Sequence, residues 1–127
     1  MASDKIKLVQ GDTRPQLILS LTDDASGQPI DISAATVRMK FTQADSKDII
    51  ATMTATALTG IVLEDGSVST ASPYDVAGKG GRCVINWTPN ALAGAAGDYE
   101  GEIEITFADT TVQTVYELLK FKLREQK

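Results

Sequence analysis

Few residues of this chain have the chemistry of a nucleophile or a soft metal ligand. There is one cysteine, Cys83, and no histidine. A nucleophilic cysteine needs a neighbouring base to form its thiolate, and histidine is both the commonest such base and the commonest metal ligand. A single cysteine also excludes an internal disulfide. We therefore predict that Cys83 is a buried structural thiol.

Acidic residues are the next candidates, as general acids for glycoside hydrolysis or as calcium ligands. Glu100, Glu102 and Glu104 alternate with other residues, and this spacing places all three in a line on one face of a strand. Such a row is typical of a solvated sheet face, and the spacing does not imply an acid with a raised pKa. Asp23 and Asp24 lie among turn-forming residues and lack the ligand spacing of a calcium loop.

Two short motifs have simple structural interpretations. Residues 78–81 (GKGG) lack the glycine spacing, the following Ser or Thr and the helix of a phosphate-binding loop, so we interpret them as part of a flexible loop. The sequon Asn86-Trp87-Thr88 lies in a predicted strand of a chain without a secretory signal, and we attribute it to chance. The sequence thus predicts a protein that is not an enzyme and that has no cofactor and no metal site.

Composition indicates one globular domain of 127 residues, with 43% hydrophobic residues and a net charge of −5. This acidic balance argues against general binding to nucleic acid, because such proteins concentrate Lys and Arg against phosphates. No apolar run approaches the roughly 20 residues that a membrane span needs. The first ten residues lack the pattern of a secretory signal. We expect synthesis in a cytoplasm and neither a nucleic-acid nor a membrane partner.

Alternation of apolar and polar residues predicts the strands. In the first third of the chain it is clear in KIKL, LILSL and TVRMKF. Between the first two of these, residues 11–15 (GDTRP) combine glycine, aspartate and proline, which turn the chain and interrupt the strand. We therefore predict a corner between two strands at that position.

Hairpins and one helical turn are predicted further along the chain. Asp65-Gly66 between two short apolar runs predicts a tight hairpin turn with both residues at positive φ, and residues 71–81 are interpreted as an exposed loop. Thr88 and Pro89 suit the N-cap and the first position of a short helical turn.

The last third predicts a long hairpin. Its first strand has apolar residues at alternate positions up to Phe107, Asp109–Thr111 turn the chain, and the returning strand carries Val115, Leu119, Phe121 and Leu123 on one side. If Ala108 pairs with Val112, then Glu100 faces Lys120 across the two strands, and this opposite-charge pair helps to define the register.

These patterns together predict an all-β fold in which residues 1–127 form a single domain, an antiparallel two-sheet immunoglobulin-like β-sandwich with one short helical turn. The predicted core consists of Leu17, Leu19, Leu21, Val37, Met39, Phe41, Ile85, Trp87, Tyr99, Ile103, Ile105, Leu119 and Phe121.

Three groups of residues carry a family resemblance: Gly11-Asp12-Thr13 with Pro15, residues 27–37 (GQPIDISAATV) and residues 97–101 (GDYEG). In their order and spacing they resemble the N-terminal immunoglobulin-like domain of phage baseplate upper proteins, and small structural proteins of tailed bacteriophages generally. The resemblance spans most of the chain except residues 45–81. It implies a virion protein of the tail, baseplate or neck that helps to attach fibres or receptor-binding proteins. It also implies that the corner sets the first strand in one sheet and the second strand in the other.

The resemblance further implies synthesis in the bacterial host cytoplasm, a final location in the virion, and several copies in a symmetric assembly with other virion proteins. We expect contacts on an edge strand, whose lysines oppose indiscriminate pairing, and on the loop of residues 71–81, whose glycines give it freedom until a partner orders it. The candidate partner-binding residues are Lys5, Lys7, Pro73, Tyr74, Asp75 and Lys79. Two alternatives stay open: a capsid decoration protein, and a carbohydrate-binding β-sandwich module with Tyr74 and Tyr116 as exposed aromatic residues.

Overall fold

The computed structural model describes residues 5–127, and the described chain is all-β, as the sequence predicts. Its strands in chain order are β1 (Ile6–Val9), β2 (Leu17–Ser20), β3 (Thr36–Gln43), β4 (Ile49–Thr54), β5 (Thr56–Ala57), β6 (Ile61–Val62), β7 (Val68–Ser69), β8 (Arg82–Ile85), β9 (Gly97–Thr106), β10 (Val112–Thr114) and β11 (Leu119–Arg124).

Two larger sheets and one small hairpin contain these strands. The first sheet has the order β1-β11-β9-β3-β4, with β10 also paired to β9, and the second has the order β2-β8-β5. Strands β6 and β7 pair only with each other. All pairs in the two larger sheets are antiparallel except β1 with β11, which are parallel.

The corner at residues 11–15 transfers the chain from the first sheet to the second, since β1 belongs to one and β2 to the other. Gly11 has a φ of 83°, and its N–H donates to the carbonyl of Leu92 at 2.8 Å. The indole Nε1–H of Trp87 donates to the carbonyl of Pro15 at 2.9 Å. The corner is therefore held by two hydrogen bonds to one distant segment of the chain, residues 87–92.

Four aromatic rings form the centre of the core. The ring centroid of Phe41 lies 5.1 Å from those of Trp87 and Tyr99, and the centroid of Phe121 lies 5.5 Å from that of Phe41 and 5.4 Å from that of Trp87. Trp87 follows β8 of the second sheet, whereas the other three rings belong to the first sheet. The cluster therefore joins the two sheets. All predicted core residues are buried except Leu19 and Leu119, which are half-buried and pack against the core.

The predicted helical turn after Thr88 is not confirmed. The N–H of Ala91 donates to the carbonyl of Thr88 at 3.1 Å, and that of Ala93 donates to the carbonyl of Asn90 at 3.2 Å. These bonds define two successive turns. Asn90 has a φ of 71°, in the left-handed region, so a right-handed helix cannot continue through it.

The predicted turn at Asp65-Gly66 differs from the expectation. Gly66 has a φ of 85° while Asp65 does not have a positive φ, and Leu63 accepts a backbone hydrogen bond from Gly66 and donates one to Ser67. The loop therefore has three residues and a left-handed last position, the second commonest hairpin type. The later hairpin also has a three-residue loop, which spans residues 108–110 and not the predicted 109–111. Thr110, with a φ of 71°, takes its left-handed last position.

The predicted pairing of Glu100 with Lys120 in the long hairpin is confirmed, although the pairing of Ala108 with Val112 from which it was inferred is wrong. Val112 pairs with Thr106 and not with Ala108, whereas Lys120 does pair with Glu100. Residues 115–118 between β10 and β11 contain two residues without an opposite residue on β9. Because side chains alternate with a period of two, this insertion leaves every later side chain on its predicted face.

Candidate functional site

Cys83 lies in the core, as predicted, and is completely buried. Burial raises the pKa of its thiol to about 11, because the apolar surroundings disfavour the charged thiolate. The thiol therefore stays protonated at neutral pH, and it is not exposed to solvent.

The row of Glu100, Glu102 and Glu104 lies along β9, and all three residues are half-buried. Basic residues flank the row on both sides: Lys120 of β11 is opposite Glu100, and Lys40 of β3 is opposite Glu102. The ammonium Nζ of Lys40 also lies 3.2 Å from Oε2 of Glu104. Among residues 5–127 no group of three or more His, Cys, Asp or Glu side chains is placed to hold a metal ion.

The glycines of residues 78–81 are not a source of freedom, so that part of the loop prediction is wrong. Gly78, Gly80 and Gly81 are buried. A Cβ at Gly80 would lie 2.1 Å from the carbonyl oxygen of Gly60, and a Cβ at Gly81 would lie 2.4 Å from that of Leu21. These positions need glycine because two stretches of backbone approach each other closely.

Backbone hydrogen bonds also attach this segment to the rest of the molecule. Gly78 donates to the carbonyl of Leu58 at 2.9 Å and accepts from the N–H of Ile32 at 3.0 Å. Gly81 accepts from the N–H of Leu21 at 2.9 Å. Residues 78–81 therefore extend the framework of the second sheet, and the exposed residues of the predicted loop lie within residues 71–77.

The predicted contact residues of this loop have different surroundings. Pro73 and Asp75 are exposed, whereas Tyr74 is half-buried and its carbonyl accepts a hydrogen bond from Gly60 at 2.7 Å. Lys79 Nζ lies 3.0 Å from Oδ2 of Asp31.

Asp31 is stabilised in its charged form. Its Oδ1 accepts hydrogen bonds from the hydroxyl of Ser33 at 2.6 Å and from the backbone N–H of Ser33 at 2.9 Å. These bonds, followed by the ammonium of Lys79, hold the pKa of Asp31 below its ordinary value of 3.8. The Lys79 side chain is thus already engaged within the domain.

Strand β1 forms one edge of the first sheet, where Lys5 and Lys7 were predicted to lie. Both lysines are exposed, and Lys5 Nζ lies 3.0 Å from Oδ1 of Asp98. On its other side β1 pairs with β11 in parallel orientation. The structure therefore separates the predicted residues into two groups, one on the edge of the first sheet and one on the loop beside the second.

Exposed apolar side chains form a third group, of which only Tyr116 was predicted from the sequence as a contact residue, for a carbohydrate. Ile18 of β2 is 53% exposed, and Ile49 and Ile50 of β4 are also exposed. Tyr116, between β10 and β11, is 89% exposed. The sequence contains a signal that Ile18 is an exposed apolar residue. The alternation of Leu17, Leu19 and Leu21 assigns Ile18 to the solvent face of the strand.

A lateral cleft of about 400 Å³ opens beside β2 between the two larger sheets. Its apolar lining comes from β1, β2, β9 and the chain around β11, and polar or charged residues form its rim. The apolar residues are Ile6, Leu19, Leu21, Ile103, Val115, Leu118 and Leu119, and the rim residues are Ser20, Glu117 and Lys120.

No helix in the part of the chain that the structure describes is long and apolar enough to cross a membrane. No protein-family model matches this chain, and no curated protein matches it significantly.

Proposed function

We propose that this chain is a non-enzymatic structural protein of a tailed-bacteriophage virion. In this proposal it is an adaptor of the tail, baseplate or neck that helps to attach fibres or receptor-binding proteins. The observation that carries the binding role is the exposure of large apolar side chains on sheet edges, at Ile18 on β2 and at Ile49 and Ile50 on β4. Unpaired edges with such side chains are ready sites for another chain.

The proposal also includes an immunoglobulin-like topology for the two larger sheets. Support comes from their strand orders, in which β11-β9-β3 and β2-β8-β5 take the places of the G-F-C and B-E-D strands. The hydroxyl of Tyr99, near the start of β9, donates to the carbonyl of Ala95 at 2.5 Å. This bond resembles the tyrosine corner of such domains, and Trp87 supplies a buried tryptophan between the sheets.

The link to phages depends on the resemblance carried by residues 11–15, 27–37 and 97–101. Two of these segments have clear structural positions. Residues 11–15 connect the two larger sheets, and residues 97–101 form the first half of the central strand β9. Lys5, Lys7, Pro73, Tyr74, Asp75 and Lys79 remain candidate contact residues in this proposal.

Quantitative mass spectrometry of purified particles, from a phage whose genome encodes the chain, tests the proposal. We expect a small, fixed copy number per virion, in agreement with a symmetric tail, baseplate or neck assembly. Several hundred copies per particle would instead identify a capsid decoration protein. Absence from washed particles would reject both virion roles.

A carbohydrate-binding module is the second candidate, and the exposed ring of Tyr116 is the observation that favours it, since exposed aromatic faces bind sugar rings. A glycan array with the wild-type protein and with Tyr116→Ala separates the two functions. Specific glycan binding that the substitution abolishes would support the second candidate, whereas an array without binding supports the structural role.

A further inference from the structure

Strand β2 lies at an edge of the second sheet, and within residues 5–127 its outer side pairs with no other strand. The N–H of Leu21 donates to the carbonyl of Gly81 on the β8 side, and polar groups of successive residues in a strand point to opposite sides. In the antiparallel register of β2 with β8, the groups of Leu17 and Leu19 therefore also face β8. Those of Ile18 and Ser20 face the free edge, and both residues are exposed.

The lateral cleft lies directly beside this edge, since Leu19, Ser20 and Leu21 line it. Val115 and Leu119 lie on the other side of the cleft. Both are half-buried and pack against the core, so apolar side chains at the border of the core are in contact with solvent there. The pocket beside Ile49 on β4 is different, because charged and polar residues form most of its lining.

We propose that β2 and the lateral cleft form an acceptor site for an extended segment of a partner protein, with apolar side chains at alternate positions. The backbone of that segment pairs with Ile18 and Ser20 and adds a fourth strand to the second sheet. Its alternate side chains enter the cleft between β2 and β11. The inference rests on the proposed binding function and specifies the chemistry of the partner.

A second copy of this chain that pairs through its own β2 is a poor occupant for the same site. In a pair of two β2 strands the edge groups would be satisfied, but the β2 of the second copy already buries Leu17 and Leu21 in its own core. Its inward side chains could not enter the cleft, which would remain unfilled. A segment that is extended and not yet part of a sheet satisfies both the edge and the cleft.

The rim adds a charge preference. Glu117 and Lys120 lie on the rim, and neither forms an ion pair with another residue in the range 5–127. A bound segment therefore gains from an acidic residue near Lys120 and a basic residue near Glu117.

A yeast-displayed library of random segments, about ten residues long to exceed the usual strand length, is the probe for this site. We expect selection on the purified chain to enrich segments with apolar residues at alternate positions. Binding of an enriched segment should slow amide hydrogen exchange at Ile18 and Ser20 by about tenfold or more, since these N–H groups become hydrogen bonded.

Two substitutions locate the binding. Val115→Lys places a charge in the cleft, and Ile18→Pro removes an edge donor that the second sheet does not use, so each should weaken binding by about ten- to hundredfold. Ile50→Lys, on the edge of β4, is the matched control and should leave affinity unchanged. If Val115→Lys does not fold, Ile18→Pro decides alone.

The proposal is overturned if the library yields no enriched segment, or if enriched segments bind both folded variants as tightly as the wild type. Either result would leave the virion role intact, because the copy number in particles is measured independently of this site.

Discussion

Trp87→Ala tests whether the aromatic cluster is the main anchor between the two sheets. Trp87 is 4% exposed, and its ring meets the rings of Phe41 and Phe121 edge to face at 5.1 and 5.4 Å. Replacing a buried Trp by Ala costs about 3–5 kcal/mol, through lost burial and the cavity that remains. We expect a loss of this size in the free energy of unfolding, measured by urea titration with far-ultraviolet circular dichroism.

Trp87→Phe separates packing from the hydrogen bond to Pro15. It keeps most of the ring contacts and removes the Nε1–H donor. Because Pro15 is exposed, water can replace that donor, and we expect a cost of about 1–2 kcal/mol. Tyr116→Ala is the surface control and should cost less than about 0.5 kcal/mol. A loss below about 1 kcal/mol for Trp87→Ala, which is far from the core value, or equal losses for Ala and Phe, would contradict the packing argument.

Three further predictions concern other parts of the domain. Gly80→Ala should lower the urea midpoint by more than Gly27→Ala. The Cβ at residue 80 would meet backbone at 2.1 Å, whereas that at residue 27 would meet nothing within 4 Å and would carry only the strain of a left-handed φ of 72°. Equal shifts would disprove the close approach. The pKa of Asp31 in the folded protein is lowered, so Asp31 contributes stability above its ordinary pKa of 3.8, and this stability is lost as the pH falls through the pKa of the folded protein. Asp31→Asn should therefore approach wild-type stability in acid. Ser33→Ala should raise the pKa of Asp31 in a carboxyl NMR titration. Cys83 should react with a disulfide reagent at pH 7 only as fast as the domain unfolds, and rapid reaction of the folded protein would show that the thiol is accessible.

The long strands could be predicted from the sequence because their side chains alternate without interruption. In β9 the buried residues Tyr99, Ile103 and Ile105 share one face and the glutamates share the other, so burial follows directly from residue type. The helical turn predicted from Thr88 and Pro89 is not confirmed, because the left-handed φ of Asn90 depends on the folded loop and is not contained in local helix propensity.

Features made by distant segments could not be predicted in this way. Gly80 was interpreted as flexible because a glycine-rich sequence looks the same whether it is exposed or packed against another stretch of backbone. The core also includes Leu8, Ile32 and Leu92, which lie in short strands or loops without a long periodic pattern. The lateral cleft requires side chains from four separate parts of the chain, and only Ile18 offered a local signal beside it.

A cryo-electron microscopy map of intact phage particles that encode this chain tests the virion role and its contacts most directly. We predict density for the two larger sheets at symmetry-related positions in the tail, baseplate or neck, with an extended strand of a neighbouring protein beside Ile18 and Ser20. A map in which all tail, baseplate and neck density is accounted for by other chains would contradict the proposed function.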